Sequence, residues 1–193
     1  MSPSLKTADD ASGSTIADLT TSGALKPGLA LETVTQDDAW PVSVLEAEFH
    51  DRIAAAIGRV LEFDAHERAV VAFANDAAVK TLNNQYRGQD KSTNVLSFPA
   101  LSPTETDDAV LDDEAAFLGD IILARETVAR EAGEQDVSFE HHTAHLIIHG
   151  ILHLLGYDHE DEPTAEEMEA LEIIILADLG IANPYTEELD DAV

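Results

Sequence analysis

Leu146-Ile147-Ile148-His149-Gly150-Ile151-Leu152-His153-Leu154-Leu155-Gly156-Tyr157-Asp158-His159 is apolar on nearly every side up to its second glycine. A helix with that pattern has no face to give to water, so it belongs inside the molecule with other elements packed around it. His149 and His153 stand four residues apart, which puts both imidazoles on one helix face about a turn apart. Gly156 ends the helix, and the turn through Tyr157 and Asp158 returns His159 towards the pair. A buried imidazole without a partner costs about 1–3 kcal/mol, so the histidines need something to share. One zinc ion per chain, bound by His149, His153 and His159 and open to water at its fourth position, would satisfy them and give a hydrolytic centre. A hydrogen-bonded histidine cluster is the alternative. His145, one turn before His149, reads as a partner that orients a ligand from behind or as a spare ligand. Asp158 reads as an orienting partner or as a plain turn aspartate. His141 and His142, at the helix start, read as surface residues.

Working outward from this helix, the chain alternates strand and helix patterns. Residues 29–34 alternate like a strand, and Asp37, Asp38 and Pro41 follow as turn and helix-start signals. Apolar residues at helical spacing predict a helix over 42–61, and the run 69–74 predicts a buried strand. Asn75 is placed to cap a second helix that stops near Gly88. Strands are expected over 94–98 and 117–123, with an acidic loop between them over 102–114. Helices are expected over 125–135, 138–155 and 164–179, the last begun by a capping box of Thr164 and Glu167. The order specifies an α+β (mixed α/β) domain with about four strands and the zinc-bearing helix buried in its C-terminal half. Its limits are 29–182, between a flexible tail over 1–28 and an acidic tail over 183–193.

Composition narrows the class. The 193 residues are 45% hydrophobic and suit one domain with flexible ends. With no cysteine there is neither a disulfide framework nor a thiolate metal site. The expected setting is the cytoplasm, because no stretch has the length of a membrane span and the N-terminus lacks a secretory pattern. Acidic residues outnumber basic ones 39 to 10, for a net charge of −29. Arg130 is the last basic residue. Such a surface repels polyanions at long range and argues against indiscriminate binding along nucleic acid. It serves solubility or a salty setting, or else it faces a basic protein partner.

Two local features bear on the reaction. In the helical zinc-peptidase pattern the first histidine is followed by a glutamate that serves as general base. Here Gly150 holds that place. A glycine inside a helix costs about 0.5–1 kcal/mol relative to alanine, which close packing on a sheet or close approach of a substrate would offset. The second feature is Asn83 to Phe98, a polar stretch that carries Arg87 and Lys91 beside an expected strand edge. Arg87 could grip a phosphate through its planar fork of donors, or could pair with one of the many carboxylates.

Taken together, these residues resemble the YbeY family of bacterial endoribonucleases. The string from His149 to His159 is similar to the family's metal motif, His-Gly-x-Leu-His-Leu-x-Gly-Tyr-Asp-His. Asn83 to Phe98 resembles its Asn-x-x-x-Arg-Gly segment and the strand that follows, and Leu118-Gly119-Asp120-Ile121 resembles its next strand. The resemblance spans about Leu29 to Tyr185. It implies a single-strand-specific, zinc-dependent ribonuclease acting in 16S 3′ end maturation and ribosome quality control. By position it implies zinc on His149, His153 and His159 and a functional role for Arg87. The acidic surface then suggests that basic partners such as ribosomal proteins deliver the RNA. A zinc peptidase with another base, and a non-enzymatic ribosome assembly factor braced by zinc, are the competing expectations.

Overall fold

Four runs rich in β-branched and small apolar residues pair into one sheet, and the helices between them decide which face each run buries. The structure is a computed structural model that describes residues 28–63, 66–100, 116–159 and 161–186. The strands are β1 (Gly28–Thr35), β2 (His66–Ala74), β3 (Val95–Pro99) and β4 (Ala116–Ala124), in the order β1-β2-β4-β3. β1, β2 and β4 run parallel, and β3 pairs antiparallel to β4 at the edge. The helices are α1 (Val42–Leu45), α2 (Ala47–Val60), α3 (Asp76–Arg87), α4 (Arg125–Glu134), α5 (Phe139–Leu154) and α6 (Glu162–Asp178). The mixed α+β class and the four strands agree with the sequence reading. The expected tail before Gly28 and the acidic loop over 102–114 lie outside the described residues.

The two sheet faces are covered unequally. Ala69, Val71 and Phe73 of β2, with Ile121 and Leu123 of β4, meet Ile53 and Ile57 of α2, Ile147 and Ile151 of α5, and Met168 and Ile175 of α6. On the opposite face, among the described residues, α3 contributes, with Val79 packed near Leu96 and Ala124. α5 is thus an inner helix, as its apolar pattern requires: Ile147, Ile148, Ile151 and Leu152 are all fully buried. Because side chains alternate along a strand, Val95, Ser97 and Pro99 of the edge strand turn away from Leu96, and all three line a cleft beside α5.

Glycine is required where β4 meets β3. The β2–β4 register shifts by one residue, Arg68 facing Phe117 while Ala69 faces Gly119. Gly119 there adopts φ 142°, and a Cβ on it would lie 2.2 Å from the Phe98 carbonyl oxygen. Only a residue without a side chain lets the two strands close at this point.

Two expected boundaries are corrected. The helix over 42–61 is interrupted at Glu46, whose extended backbone (φ −70°, ψ 139°) ends α1 and begins α2. The His50 ring compensates by donating from Nε2 to the Val44 carbonyl at 2.8 Å, a bond that apolar periodicity does not report. The last helix starts before Thr164. Its N-cap is Asp161, whose carboxylate accepts from the Thr164 N–H at 3.1 Å while its own N–H reaches Thr164 Oγ1. Thr164 is therefore the third residue of a box one turn earlier than expected, with Pro163 accommodated in the first turn. Glu167 has no part in it.

Candidate functional site

α5 begins at a Ser138 cap, which accepts from the His141 N–H, and carries five histidines along its length. His141 is exposed, as expected of a surface residue. His142 is not: it is 4% exposed and pairs with Glu131 at 3.1 Å. Its position toward α4, rather than toward solvent, is set by helix packing that the sequence pattern left undetermined. The pKa of His142 is pushed down by burial, with Glu131 acting in the opposite direction. Glu131 also accepts from Asn94 Nδ2 at 2.9 Å, so α4 fixes the loop that leads into β3.

Beyond His142 the helix delivers His149 and His153 to the cleft, and the turn after Gly156 brings His159 to them. The ligand atoms of the three rings all lie within 4.8 Å of one another, and the trio could hold a metal ion. The hydrogen bonds behind the rings fix where the protons are. His149 Nδ1 lies 2.8 Å from Glu172 Oε1, and His153 Nδ1 lies 3.0 Å from the Tyr157 carbonyl oxygen. A carboxylate and a carbonyl only accept, so each ring carries its proton on Nδ1. Both Nε2 atoms then present lone pairs, and they face each other at 3.0 Å. Two bare lone pairs at that distance repel unless a cation sits with them. Nitrogen ligands about 2.0–2.1 Å from a tetrahedral ion lie roughly 3.3 Å apart, so the donor set fits a small divalent metal. A proton is a poor substitute: the His153 pKa is pushed down by burial and by neighbouring His149, against the Tyr157 hydrogen bond.

Glu172 escaped the sequence reading. It is a fully buried carboxylate on α6, and its second oxygen is 2.9 Å from His145 Nε2 and accepts from the Tyr185 hydroxyl. Burial alone would raise its pKa, but hydrogen bonds from His145, His149 and Tyr185 outweigh that and hold it down to about 2. The Tyr185 phenol is pushed up by burial and by its bond to Glu172, and so keeps its proton. A signal was available, since Glu172 interrupts the apolar run Leu171 to Leu176. His145 is thereby joined to His149 through Glu172 and lies outside the trio. Tyr185, in the stretch expected as tail, is held against the domain.

The trio lines a cleft of about 620 Å³ that also includes Arg87, Asn94, Ser97 and Asp158. Arg87 is the last residue of α3, which Asn75 caps at one end and Gly88 closes at the other with φ 67°. Arg59, Arg68, Lys80, Arg125 and Arg130 each pair with a carboxylate, whereas Arg87 has no ion-pair partner among the described residues. Of its two expected roles, the surface salt bridge is therefore absent there. The loop after it is tied down by buried Asn83, which donates to the Lys91 carbonyl at 2.8 Å. Asp158 Oδ1 accepts from the His159 N–H at 2.7 Å. It shapes the turn that presents His159, rather than bonding to a ligand ring. Gly150 is explained by packing: a Cβ there would meet Ile121 of β4 at 2.9 Å.

The sequence profile of the family described as Endoribonuclease YbeY matches residues 35–180. The chain belongs to this family. Among curated YbeY relatives, Endoribonuclease YbeY of Nitrobacter winogradskyi is 48% identical over 155 residues, covering 80% of each chain. The protein of the same name from Bradyrhizobium sp. strain BTAi1 is 47% identical, over 81% of this chain and 92% of its own. That from Sphingopyxis alaskensis is 56% identical over 61% of this chain and 71% of its own. The solution structure of TM1509 from Thermotoga maritima shares the fold, with a TM-score of 0.50 at 23% identity, over 83% of this chain and 99% of that one. The trio in the cleft lies within the string His149 to His159 and inside the matched residues.

Proposed function

We propose that this YbeY-family protein is a zinc-dependent endoribonuclease that cuts single-stranded RNA, acting in 16S 3′ end maturation and ribosome quality control in the cytoplasm. The observation that carries the reading is the pair of Nε2 lone pairs facing each other at 3.0 Å in a cleft that also holds Arg87, which has no ion-pair partner among the described residues. The relatives' name, endoribonuclease, supplies the substrate class.

His149, His153 and His159 would hold one zinc ion. A divalent ion there supplies Lewis acidity to a phosphodiester oxygen and to the attacking water. The chain's own residues do the rest. Arg87 offers a planar set of donors and a permanent charge to the phosphate, and stabilises the extra negative charge of the transition state. Asn94 and Ser97 line the same cleft and offer uncharged hydrogen-bonding groups to the RNA backbone. Glu131 holds Asn94 in place from behind. Peptide hydrolysis is less well supported, because Gly150 occupies the place where that mechanism keeps its base. A zinc that only braces the fold would need a fourth side chain, and among the described residues the cluster contains three. Among the same residues, no helix is long and apolar enough to cross a membrane.

The test is cleavage of single-stranded RNA, duplex RNA and casein, with zinc and after chelation. Single-stranded RNA should be cut only by the metal-loaded protein, and His153→Ala should lose both metal and cleavage. Arg87→Ala should keep its metal and cut about 100-fold or more slowly. Full activity in chelated protein, or in His153→Ala, would refute the reading.

A further inference from the structure

Glu172 is buried and does not line the cleft, so it is neither a base for the reaction nor one of the trio. Its two oxygens are divided between tasks. Oε1 takes the His149 Nδ1 proton at 2.8 Å, while Oε2 receives His145 Nε2 at 2.9 Å and the Tyr185 hydroxyl. Tyr185 is itself set by a turn in which its N–H donates to Asn183 Oδ1 at 2.8 Å, and its ring packs edge-on to His145. Three donors from two separate parts of the chain therefore converge on one carboxylate, and they fix its orientation. That orientation decides which tautomer His149 adopts. With Nδ1 protonated, Nε2 is free for a metal; with the opposite tautomer the ring would point an N–H at His153.

We propose that Glu172 and Tyr185 are positioning residues of the metal centre: the Tyr185 hydroxyl locks the Glu172 carboxylate, which holds His149 in the one tautomer and orientation able to bind a metal ion. The proposal rests on the metal reading of the trio. It makes a segment near the C-terminus, beyond the motif, a determinant of metal affinity. Partners behind metal-bound histidines change affinity by about 10–100-fold when removed.

Glu172→Leu removes the acceptor shared by His145, His149 and Tyr185. Losing one side of a buried polar group destabilises the fold, softened here because His145 and His149 both retain some exposure with which to reach water. The full-length metal-free variant should therefore melt below the wild-type temperature and bind zinc about 10–100-fold more weakly in competition with a chromogenic chelator. Glu172→Gln, which keeps one acceptor oxygen, should fall between the two. Tyr185→Phe should weaken zinc by threefold or more with little change in melting. Nitrogen-detected NMR of the metal-free imidazoles should show His149 protonated on Nδ1 in wild type, and a shift towards the Nε2-protonated form in Glu172→Leu. Should Glu172→Leu fail to fold, Tyr185→Phe and Glu172→Gln decide the matter. Zinc affinity within twofold of wild type in both, with the His149 tautomer unchanged, would overturn the proposal. His149→Ala is the control for the underlying reading: if it binds zinc as tightly as wild type, the trio is not the site and both readings fall together. Loss of zinc in His149→Ala with normal affinity in the Glu172 and Tyr185 variants would sink the positioning role alone.

Discussion

At Gly150 an added methyl would come within 2.9 Å of Ile121 Cδ1 and 3.0 Å of its Cγ2. Ile121 is fully buried and β-branched, so it has little freedom to move aside. Alanine would gain about 0.5–1 kcal/mol of helix preference but lose about 1–3 kcal/mol to overpacking. Gly150→Ala should therefore destabilise the protein by about 1–2 kcal/mol, and Ile121→Ala in the same chain should relieve part of that loss. Urea unfolding of the single and double variants measures it, and additive costs would mean the contact does not govern the site. The sequence pattern posed this choice between packing and substrate approach, and the β4 contact decides it for packing. The trio itself was readable because helix period and a glycine stop are local. Glu172 was not, because its partners lie 27, 23 and 13 residues away in the chain, and spacing carries no information over such separations.

Among the elements, the break between α1 and α2 shows what periodicity omits. Val44, Ile53 and Ile57 keep their helical spacing and are all buried, so the apolar pattern is the same whether the helix is whole or interrupted. The interruption depends on His50, which is 2% exposed and donates to the Val44 carbonyl. Its other nitrogen, Nδ1, is buried and has no hydrogen-bond partner among the described residues. Protonating it would bury a charge, so burial lowers the His50 pKa from 6.5 despite opposing contributions from Val44 and Asp51. The unfolded chain thus takes up this proton first as pH falls. The stabilisation is fully present above 6.5 and is lost as pH drops through the lowered folded value. His50→Gln retains a donor for Val44 without the titration. It should cost about 1–2 kcal/mol at pH 7.5, and the gap to wild type should narrow by about pH 5. Urea midpoints of the chelated proteins at the two pH values test this, and a gap that stays constant would remove His50 as the cause.

For the whole molecule, the question is how a chain of net charge −29 admits RNA. Among the described residues Arg59, Arg68, Lys80, Arg125 and Arg130 lie against carboxylates, while Arg87 at the cleft, like Arg52 and Lys91, does not. The approach of a polyanion therefore meets long-range repulsion, and attraction at the cleft arises close in, from Arg87 and the candidate metal position. Those two contributions respond differently to salt. The Debye length falls from about 30 Å at 0.01 M to about 8 Å at 0.15 M, so added salt removes the long-range repulsion first. A protein that neutralises six or more phosphates loses about 10³-fold or more in affinity over a comparable range. A single arginine beside one metal gives a much shallower loss. The initial rate on a short single-stranded RNA, below saturation, should thus rise a few-fold between about 10 and 150 mM sodium chloride. Arg87→Ala should steepen the rise, because it deletes the attractive contact and leaves the repulsion in place. A wild-type rate that instead falls tenfold over the same interval would mean that the RNA is drawn in by many phosphate contacts. It would also remove the electrostatic reason for expecting basic proteins to bring the substrate to this cleft.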